Sequence, residues 1–304
     1  MEEYLSILIL IVSFIILMGI GVPVAWALGF SSFLTLTVTI ASVPSATTIA
    51  QRMGVGLDSF ALLAIPFFIL AGEIMNKGGI ANRLIDLAKA MTGRLPGGLL
   101  YVNVIAAMLF GAIAGSAAAA ASAIGGILGP RMEKEGYPRE LGASVNITAS
   151  TTGLIIPPSN VLIVYSLASG GVSIAALFIA GYIPGLLIGM FLMITAAIFI
   201  KKHKLKAGEP TSIKELASKF LAAFPSLMLL VVVIGGIVIG VFTATEASAI
   251  AVVYTLVLSF IYGEIKLKNL PAILLKSSET TAIVMLLIAT SMSMSWAMSS
   301  ENIP

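Results

Sequence analysis

The chain has 304 residues, of which 59% are hydrophobic and 10% charged; it has a mean hydropathy of +1.08, no cysteine and one histidine. A soluble domain carries roughly 25% charged residues, so the bilayer is the expected solvent. The missing cysteine excludes disulfides and thiolate sites, and His203, inside the basic run KKHKLK, leaves little for histidine-based metal or acid–base chemistry. The net charge of +3 reads as a bias toward one membrane face and not as a nucleic-acid footprint.

The start MEEY is acidic and the apolar run after it is longer than an h-region, so no cleavable signal peptide is expected. Residues 4–51 carry no charge, and Gly21 to Pro23 (GVP) divides them into helices over 4–20 and 23–41. The next apolar helix is 60–76, in which Glu73 is expected to pair with Lys77. An amphipathic segment over 78–95 follows, with Ile80, Leu84, Leu87 and Met91 on one face, and reads as an interfacial helix among the headgroups. The charge-free run 95–130 contains GAIAGSAAAAASAIGG, Gly111 to Gly126. A second such run, 141–200, holds two crossings with a break near 166–171. After the basic loop at 201–219, TSIKELASKFLAAF (211–224) is amphipathic, with Thr211 or Ser212 as N-cap. Helices over 225–242, 244–262 and 280–300 complete the series, with Glu246 expected as a first-turn acid of its helix.

The positive charges constrain the crossings. With the N-terminus outside and every helix crossing once except 95–130, the inside segments hold Lys77, Arg83, Lys89, Arg94, Arg131, Lys134, Arg139, Lys201, Lys202, Lys204, Lys206, Lys214, Lys219, Lys266, Lys268 and Lys276, leaving only Arg52 of the 17 Lys and Arg outside. A single crossing at 95–130 would put Arg131, Lys134 and Arg139 outside. Helical throughout, the run would measure ~54 Å, too long for a ~30 Å core. A re-entrant helical hairpin with its tip at Gly115, Ser116 and Ala117 satisfies both constraints.

A second broken element follows. In NITASTTGLIIPPSNVLIVY, Asn146 to Tyr165, the hydroxyl run Ser150, Thr151, Thr152 and then Gly153 precede Pro157 and Pro158, which cannot donate backbone hydrogen bonds. The helix is expected to enter near 139, unwind over 152–158 and resume with Ser159 or Asn160 as N-cap. Carbonyls and hydroxyls at such a break suit Na⁺, and helix-start N–H groups suit a carboxylate, the pattern of a secondary transporter site. Further on, GVFTATEASA (240–249) aligns with GVPVAWALGF (21–30) at an offset of 219, in a helix of opposite direction. The expected organisation is therefore a first inverted repeat over 1–200 (scaffold helices 4–41, helix 60–76, arm 78–95, hairpin 97–130, broken helix 139–166, helix 172–200), a basic loop and arm over 201–224, and an incomplete second repeat over 225–304.

The hairpin GAIAGSAAAAASAIG followed by STTGLIIPPSN, with AIPFFILAGEIM upstream, resembles the large membrane subunit of tripartite ATP-independent periplasmic (TRAP) transporters, in colinear order over essentially the whole chain. The fold class expected is an all-α polytopic membrane transporter with inverted repeats, a re-entrant hairpin and a broken transmembrane helix. The resemblance implies an elevator-type importer of carboxylates such as C4-dicarboxylates or sialic acid, in a prokaryotic inner membrane, with Na⁺ as coupling ion and no other cofactor. It also implies a small four-helix membrane subunit (DctQ-like) and a periplasmic solute-binding protein (DctP-like) as partners. Gly115, Ser116 and Ala117 match the family's hairpin tip, and Ser150, Thr151, Thr152, Gly153, Pro157, Pro158, Ser159 and Asn160 its broken helix. Together they would form half of the substrate site and one Na⁺ site, the latter at Ser116, Ser150, Thr152 and Gly153.

The family's second hairpin, with an acidic residue followed by Pro, has no counterpart before Pro304. The alternative reading is thus a truncated or split, non-transporting fragment that needs a separately encoded second half. An intramembrane protease lacks a base, since the spans hold no His, Cys or paired Asp. Re-entrant segments also build channel filters, which keeps a channel as a further alternative.

Overall fold

A computed structural model describes residues 2–203, 205 and 212–303. Among them are thirteen α-helices and no strand. Among the described residues, five helical stretches are long and apolar enough to cross a membrane: Phe60–Lys77, Ile174–Lys202, Ile213–Val238, Ala244–Ile261 and Leu267–Ser300. The fold is that of a polytopic helical transporter. It divides into two compact units, residues 1–62 with 278–304, and residues 63–277.

The first unit contains α1 (Glu2–Gly19), α2 (Val24–Leu36), α3 (Ser42–Leu57) and the later turns of α13 (Leu270–Ser300). Gly21, at φ +87°, ends α1: its N–H donates to the Met18 carbonyl and that of Val22 to Leu17, closing the last turn so that Pro23 can precede α2. The helix α3 has no counterpart in the expected series. With 16 residues it is too short for a span; it packs by one stripe instead, with Ile49 buried against Leu36 and Ala297. The Arg52 guanidinium lies 4.4 Å over the Trp296 ring. Glu301, 9% exposed, accepts from Ser6 Oγ at 2.9 Å and from Thr39 Oγ1 at 2.6 Å. The start of α1, the segment after α2 and the end of α13 are thereby tied to one carboxylate.

The second unit contains α4 (Ala64–Lys77), α5 (Ile80–Thr92), α6 (Gly98–Ala114), α7 (Ala117–Lys134), α8 (Arg139–Ser150), α9 (Asn160–Ala168), α10 (Ile174–His203), α11 (Ile213–Val238), α12 (Ala244–Ile261) and the first turns of α13. The helix α10 presents Ile183, Phe191 and Ile198 at 60% exposure or more, a surface suited to lipid. The amphipathic α5 buries Ile80, Leu84 and Leu87 as expected, but Met91 stays half exposed. Its apolar face meets α6 and α11, and its Asp86 pairs with Lys219 of α11 at 2.7 Å.

Three sequence expectations need correction. The arm 211–224 and the span 225–242 are one helix, α11, with Pro225 inside it. Proline removes a single backbone donor there, and the Pro225 carbonyl accepts from the Tyr254 hydroxyl at 2.7 Å. Ser212 is the N-cap, accepting from the Glu215 N–H at 3.1 Å, while Thr211, Lys204 and Lys206 lie outside the described residues. The last helix begins at Leu270, ten residues before the expected 280. Glu73 makes no ion pair with Lys77, whose exposed position at the last residue of α4 offers little gain from one. Glu246 does sit in the first turn of α12, as the acidic member of a capping box with Thr243.

The turn that ends α1 recurs at the end of α11. Gly240, at φ +77°, donates to the Ile237 carbonyl and Val241 to Gly236, each partner displaced by 219 positions from the Gly21 turn.

Candidate binding site at four helix ends

The chain reverses between α6 and α7. The Gly115 N–H donates to the Gly111 carbonyl at 2.8 Å and the residue then swings to φ +62°, a conformation that suits glycine. Ser116 is extended, and its Oγ accepts from the Ala119 N–H at 3.3 Å, so it is the N-cap of α7. The small residues on both limbs allow α6 and α7 to lie side by side.

The broken helix is built from α8 and α9. Past Ser150 the backbone tightens to a 3₁₀ turn over Thr151–Leu154, then leaves helical geometry through Pro157 and Pro158, whose mutual bond is cis. Ser159 restarts it: it is extended, accepts from the Leu162 N–H at 3.4 Å and donates to the Leu154 carbonyl. Of the two N-cap candidates, Ser159 fills the role and Asn160 is the first helical residue.

Hairpin and broken helix meet through their backbones. A Cβ built on Gly111 would lie 2.5 Å from Gly153 Cα, and one on Gly115 would lie 2.7 Å from the Pro158 carbonyl oxygen. The Asn160 N–H donates to the Gly115 carbonyl at 3.3 Å. The starts of α7 and α9 and the ends of α6 and α8 therefore converge. Helix starts carry partial positive charge and helix ends partial negative charge, so one locus offers N–H groups to an anion and carbonyls to a cation.

Most of the expected residues gather there. Gly115, Ser116 and Gly153 are in contact with one another or with the Pro158–Asn160 segment, and Ala117 opens α7 beside them. Ser150, Thr152 and Ser159 are buried, at 1%, 0% and 0% exposure. Ser150 Oγ donates to the Asn146 carbonyl at 2.7 Å and Thr152 Oγ1 to Ala149 at 2.6 Å, which orients both hydroxyls while leaving oxygen lone pairs. Pro157 and Pro158 are buried. Thr151 is the outlier: it is exposed, and its hydroxyl turns back to the Thr148 carbonyl at 2.6 Å.

Sequence reasoning missed a recess farther down the hairpin. A cavity of about 580 Å³ lies between α7 and α8, with Asn103 of α6 at its inner side. Asn103 is 1% exposed and neither of its amide atoms has a partner. Leaving such a group unsatisfied costs about 1–3 kcal/mol. Asn146 Nδ2 donates to the Ala121 carbonyl at 2.9 Å, and its Oδ1 is buried without a partner. At the mouth Arg139 pairs with Glu133 at 3.3 Å, and burial pushes the Tyr137 hydroxyl above its ordinary value of 10.0. The signal available in the sequence was a lone amide in an otherwise apolar half-helix.

Residues 11–304 match the family model described as tripartite ATP-independent periplasmic transporter, DctM component. The uncharacterized protein YgiK of Salmonella typhimurium is 51% identical over 303 residues, covering 99% of this chain and 70% of that protein. The C4-dicarboxylate TRAP transporter large permease protein DctM of Rhodobacter capsulatus is 38% identical over 99% of this chain and 71% of its own length. The sialic acid TRAP transporter large permease protein SiaM of Vibrio cholerae is 35% identical over 93% of this chain and 66% of its own. The chain thus spans about two thirds of the length of these relatives. With its many apolar helices, its paired helical hairpin and broken helix, and this match over nearly all its residues, the chain belongs to the DctM family of TRAP transporter large permeases, multi-pass membrane transport proteins rather than enzymes.

Proposed function

We propose that the chain forms the first binding jaw of a Na⁺-coupled carboxylate importer in the bacterial inner membrane, with its N-terminus outside and an elevator-type movement. The observation that carries this reading is the convergence of two helix starts and two helix ends at Gly115–Ser116 and Gly153–Ser159. The N–H groups of Ala117, Ala118 and Val161, in the first turns of α7 and α9, are the donors for a substrate carboxylate, since those of Ala119, Asn160 and Leu162 are taken by Ser116, Gly115 and Ser159. Oxygens of Ser116, Ser150, Thr152 and Gly153 are the ligands for Na⁺. Relatives that bear the names of C4-dicarboxylate and sialic acid permeases support a carboxylate cargo. A small four-helix membrane subunit and a periplasmic solute-binding protein are the partners that membership in a tripartite family implies.

The test is uptake by proteoliposomes holding the complete transporter assembled around this chain, supplied with binding protein and radiolabelled C4-dicarboxylate or sialic acid, with and without an inward Na⁺ gradient. Uptake is expected to need Na⁺, and Ser116→Ala and Ser150→Ala to raise the Na⁺ concentration required. Unchanged Na⁺ dependence in both variants would remove these residues from the ion site.

A further inference from the structure

The first unit holds an apolar groove that has no part in the site at the helix ends. It lies between α2, α3 and α13 and has a volume of about 320 Å³. Trp26 and Phe33 of α2, Ile49 and Met53 of α3, and Leu286 and Thr290 of α13 line it. The one hydroxyl among the lining side chains, on Thr290, already donates to the Leu286 carbonyl at 2.9 Å. Such a wall suits an apolar chain and rewards no polar ligand.

A single positive charge stands beside the groove. Arg52 is exposed, with its guanidinium 4.4 Å over the Trp296 ring. Trp296 packs on the same core cluster as Phe33 and Met53, two of the groove's lining residues. No carboxylate pairs with Arg52 among the described residues. The guanidinium fork matches a phosphate, and a tryptophan ring favours the headgroup level of a bilayer.

The helices set the distance between charge and groove. A Cβ built on Gly29 would lie 3.3 Å from Thr290 Cγ2, and Leu36 shares its cluster with Ala297. Both pairs are 261 positions apart, so α2 and α13 run parallel. In that register Trp26 is level with Leu287, nine residues from Trp296 along α13. At 1.5 Å per residue this is ~14 Å, about one leaflet of a ~30 Å hydrocarbon core. A phosphate at Arg52 therefore leaves the middle of an acyl chain beside Trp26.

We propose that the groove is a phospholipid site, in which one acyl chain lies between α2, α3 and α13 and the headgroup phosphate takes the Arg52 guanidinium beside Trp296. The site is independent of cargo and of Na⁺.

Trp26 and Trp296 are the chain's two tryptophans, so its fluorescence reads this region alone. The full chain in dodecyl maltoside is titrated with phosphatidylglycerol brominated at mid-chain, where bromine quenches a tryptophan it touches. Saturable quenching is expected, most of it lost in Trp26→Phe. Arg52→Gln is expected to raise the lipid concentration for half-quenching about fivefold, the effect of one basic residue on an anionic headgroup. Arg52→Lys should keep most of the parent affinity. Ala50→Phe or, should that variant misfold, Ala46→Leu puts a side chain into the groove and should weaken quenching with no change of charge. Brominated diacylglycerol, which lacks the phosphate, should bind the parent as weakly as the phospholipid binds Arg52→Gln, and inorganic phosphate should displace neither. Quenching that does not saturate, that ignores Arg52→Gln, or that is equal with diacylglycerol overturns the inference. So does displacement by inorganic phosphate. Quenching that falls as the protein is concentrated, while light scattering shows a doubled mass, assigns the groove to a second copy and overturns it too.

Discussion

Replacing Gly111 by Ala tests the backbone contact on which the site rests. The new Cβ would lie 2.5 Å from Gly153 Cα and 3.0 Å from its nitrogen, where ordinary contact begins at 3.4 Å. Relief requires the hairpin and the broken helix to part by about 0.9 Å, the difference between 3.4 and 2.5 Å, because backbone atoms have no rotamer to change. Overpacking of this kind costs about 1–3 kcal/mol, here taken near 3. Alanine returns about 1 kcal/mol through helix propensity, so the net loss is about 2 kcal/mol, a roughly thirtyfold shift toward the unfolded state. For a unit of this size each kcal/mol moves Tm by about 2–4 °C, giving a drop of about 4–8 °C. Gly126, on the other limb of the hairpin, has nothing within 4 Å of its built Cβ. Gly126→Ala therefore gains the propensity alone, and its Tm should rise by about 2–4 °C. Thermal melting of the two variants in one detergent compares them directly. If they melt within a degree of each other, or Gly111→Ala melts higher, the close approach does not exist.

Other substitutions probe other parts of the fold. Ser159→Ala removes both an N-cap and the donor to the Leu154 carbonyl; a loss of about 1–2 kcal/mol is expected in the same melting assay, with recovery in Ser159→Thr. Glu301→Ala leaves the Ser6 hydroxyl without its acceptor and removes one acceptor from Thr39. About 2 kcal/mol should be lost, and limited proteolysis should quicken between α2 and α3, whereas Glu301→Gln keeps part of the protection. The Lys219–Asp86 pair is exposed, at 38% and 49% of the side chains. Lys219→Glu should cost under about 1 kcal/mol, the cost should shrink in high salt, and the exchange Lys219→Asp with Asp86→Lys should restore the original Tm.

The sequence exposes the site more clearly than it exposes the packing. Charges on both sides of 95–130 demand a reversal, and the Gly–Ser pair at 115–116 is where helix propensity fails and N-cap propensity is high. Pro157–Pro158 marks the second break for the same local reason. What escaped was decided by tertiary contact. The helix α3 is short and carries Arg52, so a search for apolar runs passes over it; only burial of Ile49 against Leu36 and Ala297 gives it a place. Pro225 looks like a terminus, yet α11 continues through it, because proline removes a single backbone bond from an otherwise complete helix. Asn103 sits in an apolar string with no periodic feature, and the cavity beside it is made by two other helices.

Because Gly111, Gly115 and Gly153 bring main chain against main chain, the contact between hairpin and broken helix is written in a part of the polypeptide that every amino acid shares. Exchanging residues around it retunes size, charge or affinity elsewhere but offers no handle on the contact itself. A library built to change the cargo should hold these three codons fixed and spend its diversity on surrounding positions. A comparison of proteins with different cargoes should likewise find their differences outside this spot.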